Sequence, residues 1–156
     1  MTSLKKIAAG LAFLALAGVL AVASQEGKKI FAQKLLDETL ATHKEVVIMA
    51  MHVTPPGKTD NVIIASNIGR IGKKADEDDM RVIDTGKPNL EVNETGNHFE
   101  VEMALHDKAN NVLGAIAVVF NYKNGDDKEA LHQKAEKIRL EVEKQIPSLA
   151  KLLGPA

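Results

Sequence analysis

The residues able to do chemistry in this 156-residue chain fall into three groups, and each group points to binding rather than to bond making. His52 stands near the end of an apolar segment, EVVIMAMHV, on the same side as Ile48 and Ala50. Its imidazole is therefore a polar group offered to a pocket, for a ligand or for a metal. The second group lies in SNIGRIGKKA, where Asn67, Arg70, Lys73 and Lys74 are spaced by Gly69 and Gly72 ahead of a helix start. Exposed amides and positive charge in such a place could hold a carboxylate or phosphate. The loop is not a P-loop, because GRIGKKAD lacks G-x-x-x-x-G-K-S/T. The third group is HFEVEMALH, in which His98, Glu100, Glu102 and His106 share one face of an extended segment. Imidazole and carboxylate at two-residue spacing could ligate zinc.

Other charged and nucleophilic residues carry less. Asp76, Glu77, Asp78 and Asp79 lack the alternation and central glycine of an EF-hand. They read as acids favoured by the dipole of a helix's first turn. Ser66 has no G-x-S-x-G context and no catalytic set stands out, so the chain is not expected to be an enzyme. The ligand-binding set expected from the sequence is His52, Asn67, Arg70, Lys73, Lys74, His98 and Glu100, with no metal site and no cofactor assigned. Metal or haem carriage, or an enzyme, built on His52 and His98 is kept as an alternative.

Composition narrows the classes further. Cysteine is absent, which excludes disulfides, thiolate metal sites and a cysteine nucleophile. Tryptophan is absent and aromatics are 3% of residues, so stacking on sugars or bases is not the binding mode. Residues 1–23, MTSLKKIAAGLAFLALAGVLAVA, have a cationic start, a small and apolar stretch, and Ala21-Val22-Ala23 as a cleavage site. That is the pattern of a secretory signal, and it predicts a periplasmic or secreted product with no membrane span after its removal. Taking Lys5 and Lys6 from 20 cations leaves 18 against 21 acids, a net charge of −3. That balance argues against nucleic acid as a partner.

Residues 24–156 suffice for one domain. Helical spacing of Ile30, Phe31, Leu35 and Leu40 predicts an amphipathic helix from Gln25 to about His43. Strands are predicted over Glu45–Val53, Val62–Ala65, Leu90–Val92, His98–Leu105 and Val112–Tyr122, with a short helix over Asp76–Thr85 closed by Gly86. Phe99, Val101, Met103 and Leu105 alternate onto a core face, and HDKANN joins the last two strands as an antiparallel hairpin. An amphipathic helix is predicted over 126–153, capped by Asp126 with Glu129, striped by Leu131, Ala135, Ile138, Val142 and Leu149, and kinked or ended by Pro147. The order predicts an α+β fold, an antiparallel sheet of about five strands with N- and C-terminal helices packed against it.

The succession of a strand, Ile71-Gly72, an acid-rich helix ending in Thr85-Gly86-Lys87-Pro88, an alternating strand and LHDKANNVLGAIAVVF resembles the PAS-like extracytoplasmic Cache domains, including those of citrate and dicarboxylate sensor kinases. The resemblance spans about Val46 to Tyr122. It implies a PAS-like sheet and a soluble periplasmic module that binds a small polar molecule and docks to a membrane receptor. Where citrate sensors place arginine and lysine, this chain has His98, Glu100 and Glu102, which turns away citrate-like ligands. The alternative is an interaction domain that forms a homodimer through Leu131, Ile138, Val142 and Leu149.

Overall fold

The computed structural model describes residues 29–156. The leader read over 1–23 lies outside the described residues. Within them the order is α1 (Phe31–Thr42), β1 (Val46–Val53), β2 (Val62–Ser66), α2 (Glu77–Thr85), β3 (Asn89–Val92), β4 (His98–His106), β5 (Val112–Asn121), α3 (Lys128–Glu143) and α4 (Leu149–Leu153). The fold is α+β. Its five strands form one antiparallel sheet in the order β2-β1-β5-β4-β3.

Alternation along the strands divides the sheet into two unlike faces. On one, Met49, Met51 and Val53 of β1, Phe99, Val101, Met103 and Leu105 of β4, and Ile116, Val118 and Phe120 of β5 meet Leu35, Leu36, Ile138, Val142, Ile146 and Leu152 of the terminal helices and the link between α3 and α4. Each large apolar side chain buried there contributes about 1.5–3 kcal/mol. On the other face the central strands carry Ala50, Ala104, Ala115 and Ala117. Small residues leave a recess between the sheet and α2.

The segment between β2 and α2 folds back along the outer edge of β2. Gly72 N–H donates to the Ile63 carbonyl, Ile63 N–H to that of Lys73, and Ala75 N–H to that of Asn61. The edge is thereby covered, as an exposed strand edge requires. Gly69, Arg70 and Gly72 take positive φ in this turn. Arg70 does so at φ 67°, a conformation that costs a residue with a Cβ about 1–2 kcal/mol.

Local sequence accounts for the ends of α2. Asp76 accepts from the N–H groups of Asp78 and Asp79, while the Asp79 carboxylate accepts from Asp76 N–H, so both sides of a capping box are made. Gly86 closes the helix at φ 68°. The predicted helix over 126–153 is divided, because α3 ends at Glu143 and α4 begins at Leu149 after Pro147. Pro147 has no N–H to donate, its ring would clash with the Glu143 carbonyl, and it disfavours helical backbone at Ile146, so one helix does not run through. Its cap is Asp127, whose carboxylate accepts from Ala130 N–H, whereas Asp126 accepts from Lys123 N–H in the preceding turn. Ala135, Ile138 and Val142 are buried against the sheet, with Leu131 and Leu149 packed beside them. The stripe assigned to a homodimer is thus occupied within the chain. Among the described residues no helix is long and apolar enough to cross a membrane.

Candidate functional site

The recess on the alanine-lined face is a cavity of about 350 Å³. Ile48, Ala50, Ala117 and Val119 give it an apolar floor; Arg70 and Lys73 reach it from the loop, Asp76 and Asp79 from the start of α2, Glu91 from β3, and His98 and Glu100 from β4. Ligand sites of this type pair an apolar body with a few converging polar groups, and the volume lies at the small end of their range, about 300–1,000 Å³.

Of the seven residues expected to bind ligand, five line this cavity: His52, Arg70, Lys73, His98 and Glu100. Asn67 does not. Its side-chain oxygen accepts from Met49 N–H at 2.9 Å and its amide donates to the Val47 carbonyl at 2.9 Å. Those bonds extend the pairing of β1 beyond the end of β2, so both polar ends of the side chain serve the backbone. Lys74 pairs instead with Asp60 at 2.8 Å, outside the cavity and well exposed. Neighbouring side chains on an extended segment point oppositely, which separates Lys74 from Lys73.

The zinc set considered on β4 is not assembled either. A register shift between Leu105 and His106 re-aims the second histidine. His106 Nδ1 then lies 2.9 Å from Glu143 Oε1 on α3, which also accepts from Arg139 and from His106 N–H. Glu102, by contrast, turns into the protein.

Asp79 and Glu102 were not among the expected ligand-binding residues, and they form the most buried polar cluster of the site. His52 on β1 and Glu102 on β4 flank β5, where Ala115 and Ala117 leave room for their side chains to approach. Asp79 comes down from the first turn of α2. One ligating atom from each of the three lies within 4.8 Å of the others, and His52 Nδ1 is 3.6 Å from Asp79 Oδ2. His52 and Glu102 are only 6% and 3% exposed. Four buried side-chain polar atoms among the described residues lack a hydrogen-bond partner, and two of them, His52 Nδ1 and Glu102 Oε1, meet here. An orphaned buried polar atom costs about 1–3 kcal/mol; the protonated Glu102 carboxyl offsets part of that by hydrogen bonding to Asp79, while His52 Nδ1 and Glu102 Oε1 stay without a partner.

Burial dominates the protonation of these groups. It lowers the His52 pKa, overcoming the pull of Asp79 and Asp76 in the opposite direction and aided by Lys73. The imidazole is therefore neutral at pH 7, and its contact with Asp79 is not an ion pair. Burial raises the Glu102 pKa to about 9, with the facing Asp79 adding to the shift and Glu100 and Asp76 contributing further. Glu100 is also raised, first by burial and then by Glu91, its cross-strand neighbour, with Arg70 opposing.

No protein-family model matches the chain, and no curated protein matches it either. Solved structures do. The chain is similar to the repressor BlcR of Agobacterium tumefaciens, with a TM-score of 0.52 and 10% identity over 75% of this chain and 67% of that one. The second GAF domain of DevS from Mycobacterium smegmatis gives a TM-score of 0.44 at 13% identity, covering 70% of this chain and 88% of the other. A domain of a regulator of the IclR family gives 0.46 at 11%, covering 78% and 96%. At these identities the likeness is one of fold, and the repressor carries it.

Proposed function

We propose that this chain is a Cache or PAS-like module that binds a small polar molecule in the cavity between the sheet and the segment 67–85, and that it acts outside the cytoplasm. The observation that carries the reading is the cavity itself, about 350 Å³ with an apolar floor and charges of both signs on its walls. Carboxylates outnumber cations there. Glu91, Glu100, Asp76 and Asp79 face Arg70 and Lys73, so the favoured ligand carries an amine or other cationic group together with an anionic one, as a free amino acid does. The fold shared with a repressor is in keeping with a regulatory rather than catalytic module. The export pattern of residues 1–23 supports a periplasmic or secreted location, and a membrane receptor is the partner through which such a module would report.

Thermal unfolding of the protein against carboxylates, amino acids, purines and haem tests this reading. A ligand at a hundred times its Kd adds about 2.7 kcal/mol, several degrees in Tm for a domain of this size. A response to amino acids, abolished by Arg70→Ala through loss of the partner for their carboxylate, supports it. Silence across the panel would favour an interaction domain with a vestigial cavity.

A further inference from the structure

We propose that His52, Asp79 and Glu102 form a site for one divalent transition-metal ion of the zinc or manganese type, beneath the first turn of α2. Three separate elements of the fold, β1, β4 and α2, each deliver one ligand to the same point, with all three ligating atoms inside 4.8 Å. Ligands about 2.0–2.1 Å from a tetrahedral ion stand about 3.3 Å apart, so the 3.6 Å between His52 Nδ1 and Asp79 Oδ2 needs little adjustment. His52 Nδ1 and Glu102 Oε1 are buried atoms with no partner, and both belong to residues more than nine-tenths buried. A bound ion would satisfy both at once. Hydrogen bonds within the acidic first turn of α2 do not reach them.

The donor set chooses the ion. One imidazole and two carboxylates suit borderline divalent ions, while calcium asks for six or more oxygens and the absence of cysteine removes the soft-metal choices. Binding would displace the proton that Glu102 holds in the metal-free protein, so that two carboxylates offset the ion's charge, with Asp76 adding negative potential against Lys73. His52 and Asp79 also line the cavity, so remaining coordination positions face it. The site stands whether or not the cavity takes an organic ligand.

The test uses protein purified from cells expressing the full chain, stripped with a chelator and titrated with Zn²⁺, and separately Mn²⁺, by calorimetry near neutral pH. One saturable site is expected, with a Kd of about 1 μM or tighter for the preferred ion. Glu102→Gln and Asp79→Asn should each weaken it by about tenfold or more, and His43→Ala, at a histidine paired with Glu141 away from the cavity, should leave it unchanged. Glutamine matches glutamate in size, and asparagine keeps an oxygen for the Asp76 N–H, so both variants are expected to fold; circular dichroism checks that they do. Cobalt added as a spectroscopic probe should give visible bands that His52→Gln alters. Absence of saturable binding below about 1 mM of either ion overturns the proposal. So does binding that survives both Glu102→Gln and Asp79→Asn, which would place the ion on other histidines.

Discussion

Replacing Glu102 by glutamine should flatten the alkaline decline in stability of the metal-free protein. Burial and the facing Asp79 hold the Glu102 carboxyl protonated to about pH 9, whereas in the unfolded chain it ionises near 4.3, as glutamate ordinarily does. A raised carboxylate pKa means that the native state carries the extra proton across this window. Stability therefore falls as pH rises, by at most about 1.4 kcal/mol per pH unit. Below pH 6.5 the lowered His52 pKa acts in the opposite sense, because the unfolded imidazole takes up a proton that the native one resists. The depressed carboxylates of Asp37 and Asp107 matter only in acid. The clean interval is thus pH 7 to 8.5, where wild type should lose up to about 2 kcal/mol, or roughly 6–8 °C in Tm. The Glu102→Gln variant has no proton to lose at residue 102, and the raised Glu100 acts alike in both proteins. Denaturant unfolding at pH 7, 7.75 and 8.5, with chelator present, measures the difference. Parallel curves for variant and wild type would refute the argument, since they would mean that Glu102 is already ionised in the native state.

Other substitutions probe the scaffold. Gly114→Ala should destabilise by about 3 kcal/mol or more, because an added Cβ would stand 1.8 Å from the His52 carbonyl oxygen, a backbone atom unable to move aside; chemical denaturation checks it. Asp76→Ala removes the cap of α2 and should cost about 1 kcal/mol, with faster hydrogen exchange confined to the first turn of that helix. Asn67→Ala breaks both bonds to β1 and should lower stability by about 1–3 kcal/mol while leaving affinity for a cavity ligand within about twofold.

Much of the fold was legible because local rules and the final structure agree. Alternation in HFEVEMAL placed Phe99, Val101, Met103 and Leu105 on the core face, and they are buried there. The glycine at 86 and the acids from Asp76 marked α2 to within a residue. Asn110 takes the left-handed turn position of the hairpin at φ 66°, as asparagine tolerates. What the sequence hid is non-local. Glu102 looked like an outward residue on a half-solvated strand, and only the pairing of β5 between β1 and β4 brings it towards His52. Alanines at 115 and 117 were the available signal, since small residues at alternate positions on a central strand leave space for neighbours. Asp79 caps α2 and also lies beside His52 and Glu102, and the cap concealed that placement. Asn67 resembled a ligand group because a loop amide does; the need of unpaired strand backbone for partners decided its use instead.

Lys73 and Lys74 provide the sharpest contrast for testing whether the cavity is a binding site. The two are adjacent in sequence and alike in charge, yet Lys73 lines the cavity and Lys74 pairs with Asp60 outside it. Calorimetric titration of the ligand that most raises Tm, into wild type, Lys73→Ala and Lys74→Ala, is therefore the most direct measurement. Affinity should drop by about tenfold in Lys73→Ala, as for loss of a charged contact worth about 1.4 kcal/mol, and stay unchanged in Lys74→Ala. Equal affinity in all three proteins would contradict the account and place the ligand elsewhere on the chain.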